Sequence, residues 1–202
     1  MTRLLLIRHG QSTWNALGRW QGQADPPLTE TGRRQAFEAS AAIGAVDAVF
    51  SSTLERARVT AEIVSEQLGV GPVVSLPGLI ERTAGEWEGL TRIEIEERYP
   101  GYLDAGDRPP GWEEDERLEA RAMYALDRIV AALGEERPGI DVDVVVVTHG
   151  GVIYQIERRF GAPFERMANL GARWIEFVRG EWRLGDRVDL LHGVDVTIPD
   201  QI

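Results

Sequence analysis

The sequence predicts an α/β protein in which helices cover both faces of a parallel sheet. Three observations carry this. Strand-like and helix-like segments alternate through the chain, which is the pattern of a parallel sheet with crossover helices. Two runs, RLLLIR and DVDVVVVT, are almost wholly apolar, as strands buried on both faces are. Both runs end in one polar residue followed by His-Gly, at His9 and His149. In such sheets ligands bind beyond the carboxyl ends of the strands. If the two strands are neighbours, both imidazoles stand on one rim.

Residues 3–8 form the first predicted strand. LTETGRRQAFEASAAIG predicts a helix with Thr29 as N-cap and Ala36, Phe37, Ala41 and Ile43 on its buried side. AVDAVFSS predicts a strand over about 45–51. TLERARVTAEIVSEQLG predicts an amphipathic helix ending at Gly69. PVVSL is a short third strand. GLIERTAGEWEGLT reads as a loop punctuated by glycine, and RIEIEER as a short helix stopped by Pro100. YLDAGDRPPGW is rich in turn residues. EEDERLEARAMYALDRIVAALGEE predicts a long helix with Leu118, Met123, Leu126, Ile129, Val130 and Leu133 inward, its EEDER start solvated and favoured by the helix dipole. After DVDVVVVTHGG, GVIYQIERRFG predicts a helix and WIEFVRGEWRLGD a hairpin turning at Arg179-Gly180. The tail from about Val188 has no assignable pattern.

At 202 residues the expected organisation is a single domain, 1–202, with a lid or variable segment at about 95–120. The apolar start is too short for a signal peptide, and no run approaches the roughly 18 apolar residues of a membrane span. A cytoplasmic protein is expected. There is no cysteine, which excludes disulfides, thiolate nucleophiles and cysteine-based metal sites. There is no lysine either: all 22 basic residues are arginine, so Schiff-base chemistry and a P-loop lysine are excluded. The net charge of −11 argues against binding to nucleic acid or an anionic membrane. An anionic ligand needs local clusters of Arg and His.

Such a cluster is legible at the strand ends. Arg8 precedes His9, and the second strand leads to Arg56 at the start of its helix. Two guanidiniums, two imidazoles and a helix N-terminus suit a compact dianion such as phosphate. One imidazole can attack phosphorus while the other stabilises the displaced charge. A carboxylic acid then protonates the leaving oxygen, with Glu81, Glu86 and Glu88 as candidates. Glycine after each histidine is expected to let the chain turn sharply and the phosphate come close. No HxH or HExxH spacing marks a metal site, and the chemistry needs no metal or cofactor. His192 has no supporting pattern and reads as surface or structural. Trp14, Trp20, Trp87 and Trp112 fit the pocket mouth or the core equally. Asn15 fits an Asx turn after Trp14, and Arg58 the helix surface.

These stretches resemble the histidine phosphatase superfamily, also called phosphoglycerate-mutase-like. LLLIRHGQSTWN is similar to its nucleophile motif, and WQGQADPPLTETGRRQA, SSTLERARVTA, LIERTAGEWEGLT and VVVVTHGG to its later stretches, in order. The resemblance covers about residues 3–100 and 140–180. It implies a three-layer αβα sandwich with a mostly parallel central sheet and no metal. It implies His9 as phosphorylated nucleophile, Arg8, Arg56 and His149 as phosphoryl ligands, and Glu81 as general acid. Asn15 would contact the phosphoryl group or substrate, Gln21 and Gly22 would line the entrance, and Gly150 would lie against the substrate. The short Glu81–His149 interval and THGG resemble the phosphatases rather than the mutases. Arg82 is like the mutases and implies a second anionic group on the substrate. The stretch DRPPGWEEDERL departs from the family pattern where the lid lies. The expected activity is a phosphomonoesterase acting on a small phosphorylated metabolite, with a phosphoglycerate-type mutase and a non-catalytic phospholigand-binding module as alternatives. A homodimer paired through the sheet edge is compatible with the pattern.

Overall fold

The computed structural model describes residues 1–191, and His192 and the remainder of the tail lie outside the described residues. In chain order the elements are β1 (Thr2–Arg8), α1 (Thr13–Ala16), α2 (Glu30–Ile43), β2 (Ala48–Ser52), α3 (Glu55–Leu68), β3 (Val74–Leu76), α4 (Arg92–Arg98), α5 (Tyr102–Ala105), α6 (Asp115–Glu136), β4 (Val142–Thr148), α7 (Gly150–Arg159), β5 (Gly171–Val178) and β6 (Glu181–Asp189). Among the described residues the strands form one six-stranded sheet in the order β3-β2-β4-β1-β5-β6. β1 through β4 are mutually parallel, and β5 runs against both β1 and β6. The expected α/β class with a mostly parallel sheet is what the chain adopts.

Period-2 alternation of the buried strands builds the layers. Leu4 and Leu6 of β1 and Val144 and Val146 of β4 face α6 and α7. Leu5, Ile7, Val145 and Val147 face α2 and α3. That makes an αβα sandwich with a core on each side of the sheet. A third apolar cluster, Trp20, Ala84, Trp87, Leu90 and Ile95, lies outside these two, with Tyr99, Tyr102 and Trp112 against it.

Helix ends follow the local chemistry. The Thr29 side chain accepts from the Gly32 amide, and α3 stops at Gly69 in the left-handed region. A capping box of Thr91 and Glu94, not recognised in the sequence, starts α4. The predicted hairpin turns at Arg179 and Gly180, both at positive φ, as a two-residue turn requires.

Three expectations need correction. Phe37 is 56% exposed and Ala41 is exposed, because the buried face of α2 is Gly32, Gln35, Ala36, Ala39, Ser40 and Ile43. Phe37 lies about 100° around the helix from Ala36. The second strand begins at Ala48 rather than 45. Val188 and Asp189, placed in the unassigned tail, complete β6 against Ala172 and Gly171.

Glycine at position 32 is demanded by packing. A Cβ there would lie 2.1 Å from the Gln11 carbonyl oxygen, and one on Gly10 would lie 2.5 Å from the Gly32 oxygen. The chain after His9 thus rests directly on the first turn of α2. Gly32→Ala should lower stability by about 1–3 kcal/mol. Gly134→Ala, in the interior of α6 with open space around it, should raise it by about 0.5–1 kcal/mol. Urea unfolding midpoints of the two variants against the parent check both signs.

Candidate active site

The parallel register pairs Arg8 with Thr148, and the His9 amide donates to the Thr148 carbonyl at 3.0 Å. The two histidines therefore leave their strands side by side. Their ring centroids are 5.2 Å apart at an interplanar angle of 62°. The chain around His9 is pinned from three directions. Asn169 Nδ2 donates to the His9 carbonyl, the Leu170 amide donates to the Arg8 carbonyl, and the Gly10 amide donates to Thr60 Oγ1.

Hydrogen bonds settle the state of the His9 ring. Nδ1 lies 2.7 Å from the Gly10 carbonyl, which can only accept, so Nδ1 carries the proton. Nε2 keeps its lone pair and accepts from Arg56 Nε at 3.2 Å. Burial, with Arg56 and Arg8 adding to it, holds the His9 pKa well below 6.5. Burial, Arg56 and His9 do the same for His149. His149 has no exposed surface, and its Nε2 lies 2.8 Å from Ser52 Oγ. Among the described residues its Nδ1 has no hydrogen-bond partner.

Arg56 is fully buried yet well satisfied. Nη1 donates to the Ala24 carbonyl and Nη2 to the Gly22 carbonyl, and Asp25 stands 3.5 Å away. Burial lowers its pKa to about 10, so it stays charged at neutral pH. Asp25 also accepts from the Glu55 amide. The helix start that the sequence offers to a phosphate is thereby already capped by a carboxylate.

A cavity of about 740 Å³ opens from this corner. Arg8, His9, Arg56 and Glu81 line its inner part, and Gln21, Gly22 and Arg82 also contribute to its wall. Glu81 Oε1 accepts from the Arg82 amide and Oε2 from the Gly151 amide, at the N-terminus of α7. Of the three carboxylates proposed from sequence, only Glu81 reaches the cavity. Glu88 is spent on the Gln23 and Ala84 amides and Thr83 Oγ1, and Glu86 accepts from Tyr99 Oη at the surface.

Other expectations change on the geometry. Asn15 is buried behind the cavity wall, where Oδ1 accepts from the Ser12 amide and from Asn169 Nδ2. It caps α1 and braces the residue that holds His9. Gly150 does not line the cavity; Gly151 does, and a Cβ on Gly151 would fall 2.3 Å from Glu81 Oε1. Neither Gly10 nor Gly150 has positive φ, so close approach rather than a sharp turn explains the first. Trp20 and Trp112 line the cavity, while Trp87 is wholly buried in the aromatic cluster. Arg58 pairs with Glu62 on the helix surface. Sequence reasoning missed Ser52, Asn169, Arg108 and the Glu113–Arg121 pair. Each acts across the fold, and none carries a local signal.

Among the described residues no three His, Cys, Asp or Glu side chains are grouped to hold a metal ion, and no helix is long and apolar enough to cross a membrane. What the corner offers is a neutral imidazole among buried guanidiniums, a second imidazole and a carboxylate, at the ends of parallel strands.

The sequence model of the histidine phosphatase superfamily (branch 1) matches residues 4–189. The chain belongs to that superfamily, and it is a phosphatase. A metal-independent phosphoserine phosphatase of Arabidopsis thaliana is 32% identical over 95% of this chain and 83% of its own length. A glucosyl-3-phosphoglycerate phosphatase of Mycobacterium tuberculosis is 36% identical over 91% of this chain and 87% of its own. The native structure of a mycobacterial glucosyl-3-phosphoglycerate phosphatase superimposes with a TM-score of 0.79 at 30% identity, covering 91% of this chain and 96% of that one.

The two depressed imidazoles make stability depend on pH. Unfolded histidine takes up a proton near pH 6.5, whereas folded His9 and His149 stay neutral well below it. Their contribution is complete above pH 6.5 and is lost as pH falls from there toward the folded-state values. Each adds a slope of up to roughly 1 kcal/mol per pH unit. Urea unfolding between pH 6.5 and 5 should show His149→Gln with the shallower slope; equal slopes would contradict the assignment.

Proposed function

We propose that the chain hydrolyses phosphomonoesters through a phosphohistidine on His9, without a metal ion, in the cytoplasm. The observation that carries this reading is the His9 ring itself. It is buried and neutral, with Nδ1–H tied to the Gly10 carbonyl and the Nε2 lone pair turned to Arg56. In the first step Nε2 forms a bond to phosphorus and the ester P–O bond breaks. Glu81, as the carboxylic acid, gives its proton to the leaving oxygen. In the second step water attacks phosphorus, Glu81 takes a proton from that water, and the N–P bond breaks to release phosphate. Arg8 and Arg56 hold the equatorial oxygens. His149, held by the contact of its Nε2 with Ser52 Oγ, stands beside His9 to stabilise the charge developing on the phosphoryl group.

The substrate is a small phosphorylated metabolite. The cavity is larger than a phosphoryl group needs, and Trp20, Trp112, Tyr154 and Phe164 give its outer part an aromatic lining for an organic body. Arg82, the mutase-like feature, is already paired with Asp115 and stacked 5.2 Å from Trp112. Arg108 stacks on the same ring at 4.8 Å, lines the cavity and makes no ion pair among the described residues. A second anionic group on the substrate would meet Arg108 more readily than Arg82.

Phosphate release from a panel of phosphomonoesters, with chelator and without added metal, tests the reaction. His9→Ala should lower release by about a thousandfold or more and abolish acid-labile phosphate labelling. Undiminished release would overturn the reading, and transfer back to substrate in place of release would make the enzyme a mutase. Arg108→Ala should raise KM for carboxylate-bearing phosphomonoesters about threefold to tenfold, the worth of a partly solvated ion pair. KM for glycerol 2-phosphate should hardly change.

A further inference from the structure

Outside the cavity, one arginine aims three of its donors at the backbone that carries Glu81. Arg121, on the second turn of α6, has five N–H groups. Nη1 donates to the Gly78 carbonyl at 2.9 Å and to the Ile80 carbonyl at 2.6 Å. Nη2 donates to the Glu81 carbonyl at 3.0 Å and to Glu113 Oε2 at 2.8 Å, and Nε donates to Glu113 Oε1 at 2.8 Å. No donor is left over.

Glu113 sets the plane of that guanidinium. It is 6% exposed and grips Arg121 through both oxygens. Its own backbone is tied to the same segment, since its amide donates to the Thr83 carbonyl and its carbonyl accepts from Arg82 Nη1. Residues 78–83 are thus strapped at five points, three of them to Arg121 of α6 and two to Glu113 just before that helix. They also sit directly against it: a Cβ on Gly78 would lie 2.7 Å from the Arg121 carbonyl oxygen and 2.8 Å from Ala125 Cβ.

The segment is otherwise irregular. It has no strand partner, and its first stretch is one turn of 3-10 helix, Pro77–Leu79. A loop without a ladder would leave the Glu81 carboxylate free to wander by more than a proton transfer tolerates. We propose that Arg121, oriented by Glu113, is a positioning residue that fixes Glu81 at proton-transfer distance from the leaving oxygen. The inference rests on the reading of Glu81 as the general acid. Lysine cannot replace Arg121, because its single ammonium cannot span three carbonyls and a bidentate carboxylate.

Leaving-group dependence separates positioning from simple loss of structure. Departure of 4-nitrophenolate needs no proton, whereas departure of an alkoxide does. Arg121→Lys should lower kcat/KM, which reports the step that expels the leaving group and not the later attack of water, by about 10- to 100-fold for glycerol 2-phosphate, as loss of a supporting partner does at other sites. It should change kcat/KM for 4-nitrophenyl phosphate by less than about threefold. Glu113→Gln should move in the same direction, and it keeps the test open if Arg121→Lys does not fold. In a Glu81→Gln background, Arg121→Lys should cost nothing further on glycerol 2-phosphate. Parallel loss on both substrates, or a further loss in the Glu81→Gln background, would overturn the proposal. If Glu81→Gln itself shows no leaving-group dependence, the general-acid reading falls and the positioning role with it. If Glu81→Gln shows it and neither Arg121→Lys nor Glu113→Gln does, only the positioning role falls.

Discussion

The parallel pairing of β1 with β4 is the constraint from which the rest of the site follows. Seven consecutive residue pairs run from Thr2 with Val142 to Arg8 with Thr148. A slip of one residue would turn Leu5 and Ile7 from one core to the other and carry His9 away from His149. Because Leu4 to Ile7 and Val144 to Val147 are apolar and buried, alternating between the two faces, such a slip costs packing in two layers at once. The register that satisfies the cores is also the one that sets the imidazoles 5.2 Å apart. The geometry of the histidine corner is a by-product of close packing, reached without positive φ at His9 or His149.

Burial then decides protonation. Two imidazoles and two guanidiniums lie within a few ångströms in a site that water reaches only from the cavity. Positive charge on all four would be costly, so the groups divide it. The arginines, whose intrinsic pKa is far higher, keep their charge even with Arg56 lowered to about 10, and the histidines give theirs up. A neutral imidazole among cations suits attack on a phosphate dianion. On the proposed reading the anion would supply the missing negative charge, and His9 would need no proton removed beforehand. The same division explains how a chain of net charge −11 can draw in an anion: the positive charge is concentrated at one end of the sheet.

What the sequence made legible was whatever depends on short-range pattern. The apolar runs ending at Arg8 and Thr148, the caps Thr29 and Gly69 and the Arg179-Gly180 turn are local signals. The alternation of elements sufficed for the sheet, and the two His-Gly pairs for the corner. The partners of Asn15 and Gly151 were not legible, because position near a motif does not say which way a side chain or an amide faces. Asn15 turns to Ser12 and to Asn169, more than 150 residues downstream, and the Gly151 amide donates to Glu81. The segment after β3 was illegible for a deeper reason. Its backbone bonds to side chains of α6 rather than to a neighbouring strand, and such pairings leave no periodic trace.

Glu81 and Glu113 complete the division of labour among charges. Both are carboxylates tied to the segment 78–83, yet their partners differ in kind. Burial alone would raise the Glu113 pKa, but its hydrogen bonds and charge contact with Arg121 outweigh that and hold it below the usual carboxylate range. It stays ionised and serves as a strut. The Glu81 carboxylate takes its hydrogen bonds from the backbone amides of Arg82 and Gly151. On the proposed reading of Glu81 as the acid, its segment must be held in place while the carboxylate itself stays open to the leaving oxygen. The hydrogen bonds separate these two tasks, because Arg121 grips the chain through the Gly78, Ile80 and Glu81 carbonyls and gives none of its donors to the Glu81 carboxylate.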